Sequence, residues 1–242
     1  MSGIAQLLLR CGYKVTGSDL KENKNTKALG SLGAGIFIGH KPENLRGADI
    51  IVYSSAINEN NPEVEEAKRL KIPLIMRAEA LAELMANKSV ITVAGSHGKT
   101  TVTSLVSYLL LEAGLSPTVA IGGILKNINT NACAGSGQFF VAEADESDGS
   151  IVNYKPEISV LLNIDRDHKE YDELIDLFTI FKQNTASYFI ANQDYELTKQ
   201  LSDNHAYNFG TEHAPICGTN FKQEGFKISF VVQSYTCNIP VI

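Results

Sequence analysis

A short glycine loop followed by a lysine and a threonine is the part of this chain whose residue types best predict chemistry. Residues 95–100 read Gly-Ser-His-Gly-Lys-Thr and follow the apolar segment 90–94. Backbone N–H groups in such a loop, and at the start of the next helix, point at phosphate groups, and the helix dipole favours their negative charge. Lys99 would reach the β- and γ-phosphates of a nucleoside triphosphate, and the Thr100 hydroxyl would bind Mg²⁺.

The loop departs from the strict phosphate-loop pattern G-x-x-x-x-G-K-[ST], because Val93 occupies the place of its first glycine. A shorter form, G-x-x-G-K-T, remains. The segment that follows has apolar residues at helical spacing, at positions 102, 105, 106, 109 and 110, which predicts a helix with one buried face. A glycine-rich turn that binds nothing is the alternative, and the Lys-Thr pair at the helix start argues against it.

An acidic run, residues 143–148, follows a strand-like apolar segment. Ligands of open α/β folds bind at the carboxyl ends of strands, and Mg²⁺ takes one or two carboxylates beside its substrate's phosphates. The preceding strand fixes the position of Glu143, so we predict Glu143 as a metal ligand. For Asp145, Glu146 and Asp148 a metal site and a solvated acidic turn are both open.

A histidine, His168, follows the most apolar segment of the chain, residues 158–164. Its place at a second strand end in the phosphate-loop half favours a ligand role. A histidine with its hydrogen bonds satisfied inside the fold is the alternative. Carboxylate oxygens and water suit Mg²⁺ better than an imidazole does. His168 would be consistent with this preference if it contacted the direct ligands and not the ion itself.

The elements that must position these residues alternate between strands and helices, which predicts an α/β fold of parallel sheets with helices on both faces. Asn87 and Lys88 read as a linker. We therefore predict a Rossmann-like parallel-sheet domain over residues 1–87 and a phosphate-loop α/β domain over residues 88–242. From about Asn204 the pattern changes to short strands with glycine turns.

Composition excludes several function classes for this chain of 242 residues. Its net charge of −6 argues against general binding of nucleic acid, which needs a basic face. The four cysteines are scattered without a C-x-x-C pair, so we expect reduced thiols and a cytoplasmic protein. No apolar run is long enough to cross a membrane, and no membrane partner is predicted.

Taken together, these motifs resemble the Mur ligase family, which builds the peptide stem of bacterial peptidoglycan. The resemblance runs in family order from residue 1 to about residue 170, and the acidic motif and shortened phosphate loop are its most specific parts. The resembling stretches are Met1-Ser2-Gly3-Ile4-Ala5, Gly17-Ser18-Asp19, Ser54-Ser55-Ala56-Ile57, Asn61-Pro62-Glu63, Arg77-Ala78-Glu79, Leu81-Ala82-Glu83, residues 94–101, Gly122-Gly123, residues 143–148 and Asp167-His168.

The resemblance implies a ligase that uses ATP and Mg²⁺ to phosphorylate a substrate carboxylate, after which an amine attacks the acyl phosphate. By the same resemblance Lys99 contacts the γ-phosphate, Thr100 and Glu143 hold one Mg²⁺, and His168 helps to hold a second, which makes Lys99, Glu143 and His168 the expected catalytic residues. The expected ATP-binding residues are Gly95, Ser96, His97, Gly98, Lys99, Thr100 and Thr101.

The first domain is implied to seat a UDP-sugar. Asp19, the acidic residue that ends the second strand of a Rossmann-like unit, falls where such folds meet a ribose or base. Ser54 and Ser55 join it through the resemblance alone. The match is closest to the members that join L-alanine to UDP-N-acetylmuramate, so these two small molecules are the expected substrates.

Two family features are missing from the sequence: the first strand with its glycine turn, and a C-terminal domain that binds the amino acid. We therefore expect a chain truncated at both ends, inactive as a ligase alone unless a C-terminal fragment complements it. Three alternatives are open: a ligase that recycles a whole tripeptide onto the same sugar, a non-catalytic nucleotide or UDP-sugar binding module, and a simple phosphate-loop ATPase or kinase.

Overall fold

The computed structural model describes residues 1–54, 56–125, 130–147, 149–166, 169–203, 205–225, 227–233 and 235–240, with the backbone alone at 150 and 235–240. The chain divides into two units, one of residues 1–89 and 103–142, the other of residues 90–102 and 143–242. The predicted domain boundary between residues 87 and 88 stays a prediction.

Helices and strands alternate in the described part of residues 1–89, except that a short 3₁₀ helix (Pro42–Leu45) takes the place of an α-helix between the second and third strands. In order they are α1 (Ser2–Arg10), β1 (Thr16–Asp19), α2 (Lys24–Ser31), β2 (Gly35–Ile38), β3 (Ile51–Tyr53), α3 (Pro62–Leu70), β4 (Leu74–Met76) and α4 (Arg77–Met85). The strands pair in parallel, as predicted, but as two separate two-stranded sheets: β1 with β2, and β3 with β4. Although its residues are apolar, β3 is half-buried along its length.

Polar residues placed before the helices explain where two of them begin. The Asn23 side chain accepts hydrogen bonds from the N–H groups of Asn25 and Thr26, and the Thr26 side chain accepts one from the Asn23 N–H, which closes a capping box on α2. At α3, Pro62 occupies the first turn and the Asn61 side chain accepts from the Glu63 N–H. Proline there costs no hydrogen bond, since the first N–H groups of a helix have no partner inside it.

The following elements are β5 (Ser89–Ala94), α5 (Lys99–Glu112), β6 (Thr118–Leu125), β7 (Thr130–Cys133), β8 (Phe139–Glu143), β9 (Ile158–Leu161), α6 (Tyr171–Gln183), β10 (Tyr188–Ala191) and α7 (Glu196–Leu201). Their strands form a sheet in the order β10-β9-β5-β8-β6-β7. The pairs of β9 with β10, β5 with β9 and β6 with β8 are parallel, whereas β7 runs antiparallel to β6. The α/β fold class is therefore confirmed, with an antiparallel edge that the sequence did not predict.

The pairing of β5 with β9 is what positions the glycine loop. Ala94 lies opposite Leu161, and the Leu162 N–H donates to the Ala94 carbonyl oxygen at 3.0 Å. The paired residues Ala94 and Leu161 are both fully buried, and so is Val93, so the end of β5 is enclosed in this register. The residues after both strands thus emerge side by side at one edge of the sheet.

The predicted buried face of α5 was wrong. Leu105 and Leu109 are 41% and 64% exposed, and the fully buried residues of the helix are Thr103 and Ser107. Ser107 satisfies its buried hydroxyl by donating to the Thr103 carbonyl oxygen at 2.7 Å. The spacing of the apolar residues located the helix correctly, but it did not identify the buried face.

A four-stranded sheet ends the described chain. Its strands are β11 (Phe209–Gly210), β12 (Ile216–Glu224), β13 (Lys227–Val232) and β14 (Tyr235–Pro240). The strand β11 runs parallel to β12, and the other two pairs are antiparallel hairpin partners. Cys11, Cys133 and Cys217 are free thiols. Within the described ranges, no helix combines the length and apolar character needed to cross a bilayer.

Candidate functional site

The glycine loop, residues 95–98, joins β5 to α5 in a conformation that requires glycine at both ends. Gly95 and Gly98 have φ values of +134° and +83°, which side-chain-bearing residues rarely adopt. A Cβ on Gly95 would also lie 2.9 Å from the Asn163 carbonyl oxygen and 3.0 Å from its nitrogen. Glycine therefore lets the loop lie directly against the segment that follows β9.

Four hydrogen bonds that involve side chains hold the glycine loop against that segment. The Asn163 amide oxygen accepts from the His97 N–H at 2.8 Å, and its NH₂ group donates to the His97 carbonyl oxygen at 3.0 Å. The Ser96 hydroxyl donates to the Asp165 carbonyl oxygen and accepts from the Asp165 N–H, both at 2.8 Å. The loop is thus held by hydrogen bonds to a second strand end, without relying on a ligand.

Lys99 begins α5 and turns its ammonium group back over the glycine loop. Its Nζ donates to the Gly95 carbonyl oxygen at 2.7 Å and lies 3.1 and 3.0 Å from the two carboxylate oxygens of Glu146. Both side chains are largely buried, 14% and 10% exposed. The positive charge predicted for phosphate binding is therefore neutralised by a buried carboxylate.

The surroundings of the Glu146 carboxyl favour its neutral, protonated form. Burial raises the pKa of Glu146 above its ordinary value of 4.5, and the charge of Asp145 adds to the rise. A backbone hydrogen bond and the contact with Lys99 oppose the rise without cancelling it. The interpretation of Glu146 as part of a solvated acidic turn is wrong, since only 7% of the residue is exposed.

Thr100 and Glu143 meet at the first turn of α5. The Thr100 hydroxyl donates to the Glu143 carboxylate, with 2.9 and 3.1 Å to its two oxygens. Both groups offer oxygen, which Mg²⁺ prefers, and Mg²⁺ commonly takes one or two protein ligands and completes its shell with water and phosphate. Among the described residues, His, Cys, Asp and Glu form no group of three that could hold a metal unaided. The pair fits a magnesium ion that also binds phosphate.

The remaining predicted residues are placed as follows. The exposed His97 imidazole lies 3.8 Å from the Asp165 carboxylate, and Thr101 is an exposed residue in the first turn of α5. Asp19, at the end of β1, accepts hydrogen bonds from the Lys21 N–H and the Asn23 side chain.

Ser54 directly follows β3, and its carbonyl oxygen accepts from the Ile57 N–H. Three other predicted residues, Ser55, Asp148 and His168, lie outside the described residues.

Asn163, which holds the middle of the glycine loop, was passed over by the sequence analysis. It stands five residues before His168, and its role depends on the contact with His97, a residue 66 positions away. An amide directly after a buried strand, at the sheet edge that carries a phosphate loop, was the available signal.

Curated relatives with high sequence identity carry one name. The chain is 57% identical over 173 residues to the UDP-N-acetylmuramate–L-alanine ligase of Aquifex aeolicus, a match that covers 72% of this chain and 38% of the relative. It is 50% identical over 251 residues to the enzyme of the same name from Rickettsia bellii, covering 99% of this chain and 52% of the relative. The chain thus spans about half the length of such curated relatives.

Solved structures agree with the fold. The UDP-N-acetylmuramate–alanine ligase of Thermotoga maritima matches with a TM-score of 0.88 and 25% identity, covering 99% of this chain and 57% of that one. The UDP-N-acetylmuramate:L-alanyl-γ-D-glutamyl-meso-diaminopimelate ligase of Neisseria meningitides matches with a TM-score of 0.86 at the same identity, covering 99% of this chain and 83% of that one.

Family models match almost the whole chain. Residues 1–89 match the model described as Mur ligase family, catalytic domain. Residues 93–242, more than half of the chain, match the Mur ligase middle domain. With the glycine loop, the Thr100–Glu143 pair and the α/β fold all in place, this chain belongs to the Mur ligase family.

Proposed function

We propose that these 242 residues provide the ATP site and the UDP-sugar site of a ligase that joins L-alanine to UDP-N-acetylmuramate in peptidoglycan synthesis. The observation that carries the proposal is the contact of Thr100 with Glu143 at the helix start after the glycine loop, because it combines a phosphate site with an oxygen donor pair. Curated relatives 44–57% identical to the chain, all named for this reaction, support the choice of substrates.

ATP binds along the glycine loop in this proposal. The N–H groups of Gly98 and of the first turn of α5, including Thr101, face its β- and γ-phosphates, since the first N–H groups of a helix have no acceptors inside it. Lys99 exchanges its contact with Glu146 for the γ-phosphate. Ser96 and His97 shape the loop, since the Ser96 N–H donates to the Asn163 carbonyl oxygen at 3.2 Å and the His97 N–H donates to the Asn163 amide oxygen at 2.8 Å.

Magnesium is held by Thr100 and Glu143, and the family resemblance adds His168 at a second ion. When bound, the ion neutralises charge on the phosphates during transfer. The Glu143 carboxylate and the Thr100 hydroxyl, which lie within hydrogen-bond distance of each other, would both hold the ion through oxygen.

The chemistry we propose needs no nucleophile from the protein. A carboxylate oxygen of UDP-N-acetylmuramate attacks the γ-phosphorus of ATP, ADP leaves, and an acyl phosphate forms. The amine of L-alanine attacks the acyl carbon, the C–O bond to phosphate breaks, and the amine gives up a proton as the amide forms. The residues of this chain contribute by positioning the reactants and by stabilising charge on the transferred phosphoryl group, with Lys99 as the main cation.

The UDP-sugar binds in residues 1–89 in this proposal, at the carboxyl ends of β1 and β3, where Asp19, Ser54 and Ser55 lie in sequence. Ligands of open α/β sheets bind outside the carboxyl ends of the strands, which supports this placement. The amino-acid site is not assigned to any residue of this chain.

The experiment that tests the proposal measures phosphate release from Mg-ATP with UDP-N-acetylmuramate and L-alanine, each omitted in turn, alongside ATP binding by calorimetry. We expect micromolar to millimolar ATP binding that Lys99→Met abolishes, while the exposed Lys68→Met leaves it unchanged. Turnover that depends on both substrates supports the ligase. A preference for the tripeptide over L-alanine would support the recycling ligase, and ATP hydrolysis without the sugar would contradict both.

A further inference from the structure

The motif Asn61-Pro62-Glu63 starts α3 and also supplies a carboxylate, that of Glu63, to a cluster of hydrogen bonds. The Glu63 carboxylate, 14% exposed, accepts hydrogen bonds from separate segments of the chain. Its Oε2 accepts from the Ser18 hydroxyl at 2.6 Å, and its Oε1 accepts from the Asn44 side chain at 2.6 Å and the Lys41 N–H at 3.3 Å. Glu63 therefore ties the end of β1 and the segment after β2 to the first turn of α3.

The direction of each hydrogen bond in this cluster can be assigned from the donors. A carboxylate only accepts, so Ser18 gives its single hydroxyl hydrogen to Glu63. His40 Nδ1 lies 2.9 Å from the same Ser18 oxygen, which has no second hydrogen to offer. His40 Nδ1 must therefore be the donor, and it carries the proton.

The other imidazole nitrogen of His40 is then defined. In the neutral ring, a proton on Nδ1 leaves the lone pair on Nε2. Nε2 has no hydrogen-bond partner among the described residues. The side chain is 15% exposed and stands two residues after β2, whose end pairs with Asp19. The cluster thus presents a fixed acceptor at the sheet edge where Asp19 lies.

The same three residue types would form a hydrolytic triad only in another order. In a triad the histidine lies between the nucleophile and the carboxylate, and the serine donates to the histidine. Here Ser18 donates to Glu63 and accepts from His40. His40 is therefore not placed to take the Ser18 proton while the hydroxyl oxygen attacks a substrate. The arrangement orients a ring and does not activate a hydroxyl.

We propose that Glu63 is a positioning residue that acts through Ser18 to fix the Nδ1–H tautomer of His40, so that His40 Nε2 accepts a hydrogen bond from the sugar nucleotide. The last clause rests on the proposed function, whereas the tautomer does not. A ligand at this nitrogen must offer an N–H or O–H group, which a sugar nucleotide carries on its base and sugar hydroxyls.

The hydrogen-bonded chain from Glu63 through Ser18 to His40 is called the relay here. Glu63→Gln tests it, because this substitution should reverse the direction of its hydrogen bonds. Asn44 and the Lys41 N–H only donate here, so the glutamine must turn its oxygen toward them and its NH₂ group toward Ser18. Ser18 then accepts from the glutamine and donates to His40 Nδ1, which moves the ring proton to Nε2. Asn44→Ala leaves the Ser18 path intact and should keep the Nδ1–H tautomer, as should Glu65→Gln, which removes an exposed charge from the same helix.

The measurement is a long-range ¹⁵N–¹H spectrum of the whole chain at pH 8, with the His40 signals assigned from a His40→Gln variant. We expect a protonated Nδ1 in the wild type and a protonated Nε2 in Glu63→Gln. A protonated Nε2 in the wild type overturns the relay without any variant having to fold. An unchanged tautomer in a folded Glu63→Gln protein also overturns it.

Calorimetry with UDP-N-acetylmuramate then tests the ligand contact. Loss of one hydrogen-bond acceptor should weaken binding about tenfold in Glu63→Gln, with Asn44→Ala and Glu65→Gln much less affected. Equal affinity in wild type and a tautomer-switched Glu63→Gln overturns the role in binding. No binding to the wild type overturns the proposed UDP-sugar site and the ligand contact together, while the spectrum still decides the tautomer.

Discussion

The side-chain amide of Asn163 engages the backbone of His97 on both sides, accepting from its N–H at 2.8 Å and donating to its carbonyl oxygen at 3.0 Å. The middle of the glycine loop is thereby held in place by contacts within the protein. A loop that is already ordered has less conformational entropy to lose when a ligand binds. The contact therefore ties phosphate affinity to a residue that does not itself face the phosphates.

Asn163→Ala should weaken ATP binding without removing any proposed ligand of the nucleotide. Two hydrogen bonds of about 1 kcal/mol each hold the loop, and we expect ATP affinity to fall about tenfold or more. Calorimetric titration with Mg-ATP gives the change, with the exposed Asn60→Ala as the matched control. Asn163→Asp separates the two contacts, because it keeps an acceptor for the His97 N–H but places a negative charge against the His97 carbonyl oxygen. Wild-type affinity in both Asn163 variants would show that the loop orders itself.

Gly95→Ala should destabilise the folded chain and abolish ATP binding. Alanine is strained at φ +134°, and its Cβ would come within 2.9 Å of the Asn163 carbonyl oxygen. Strain of this kind costs about 1–3 kcal/mol, before the clash moves the loop away from β9. Thermal unfolding and ATP titration check both effects.

Gly30→Ala is the control for the glycine change. Gly30 lies within α2, where the nearest atom to an added Cβ is 4.0 Å away, so alanine should stabilise the chain by about 0.5–1 kcal/mol. If Gly95→Ala unfolded at the wild-type temperature and bound ATP normally, the close packing of the loop would carry no function.

The sequence was sufficient to place the glycine loop and the start of α5 at Lys99, because a tight turn and a helix start depend on residues that are neighbours in the chain. The role of Lys99 and Thr100 in phosphate binding stays a prediction. Contacts between distant segments could not be predicted in this way. The meeting of Asn163 with His97 depends on the register that sets Ala94 opposite Leu161, and register follows from packing along whole strands.

The packing side of α5 illustrates a second limit. Counting apolar residues favoured the face with Leu105 and Leu109, whereas the buried positions are Thr103 and Ser107. Both of these buried residues are polar, and hydrophobic periodicity does not register them. The edge strand β7 was not predicted because its residues, Thr-Asn-Ala-Cys, show no alternation of apolar and polar side chains.

Thr100→Val should raise the Mg²⁺ concentration needed for ATP binding, since valine keeps the shape of threonine but loses the hydroxyl that faces Glu143. We expect a shift of about tenfold, the effect of about 1.4 kcal/mol. Thr100→Ser retains the hydroxyl and should behave as the wild type. ATP titrations at several Mg²⁺ concentrations give the comparison, and an unchanged Mg²⁺ dependence in Thr100→Val would remove Thr100 from the proposed metal site.

Glu146→Gln should change how stability depends on pH. Because the folded-state pKa of Glu146 is raised above 4.5, the folded chain keeps a proton that the unfolded chain releases as the pH rises past that value. The stability of the wild type therefore falls with rising pH between 4.5 and the raised pKa, relative to a variant that cannot ionise there.

Thermal unfolding of nucleotide-free protein at a series of pH values measures this difference. The Tm of Glu146→Gln minus that of the wild type should increase as the pH rises from 4.5 and then level off. The exposed Glu112→Gln should give a difference that stays near zero throughout. A difference that decreases with pH would mean that the ion pair with Lys99 outweighs burial, and that the pKa of Glu146 is lowered in the folded chain.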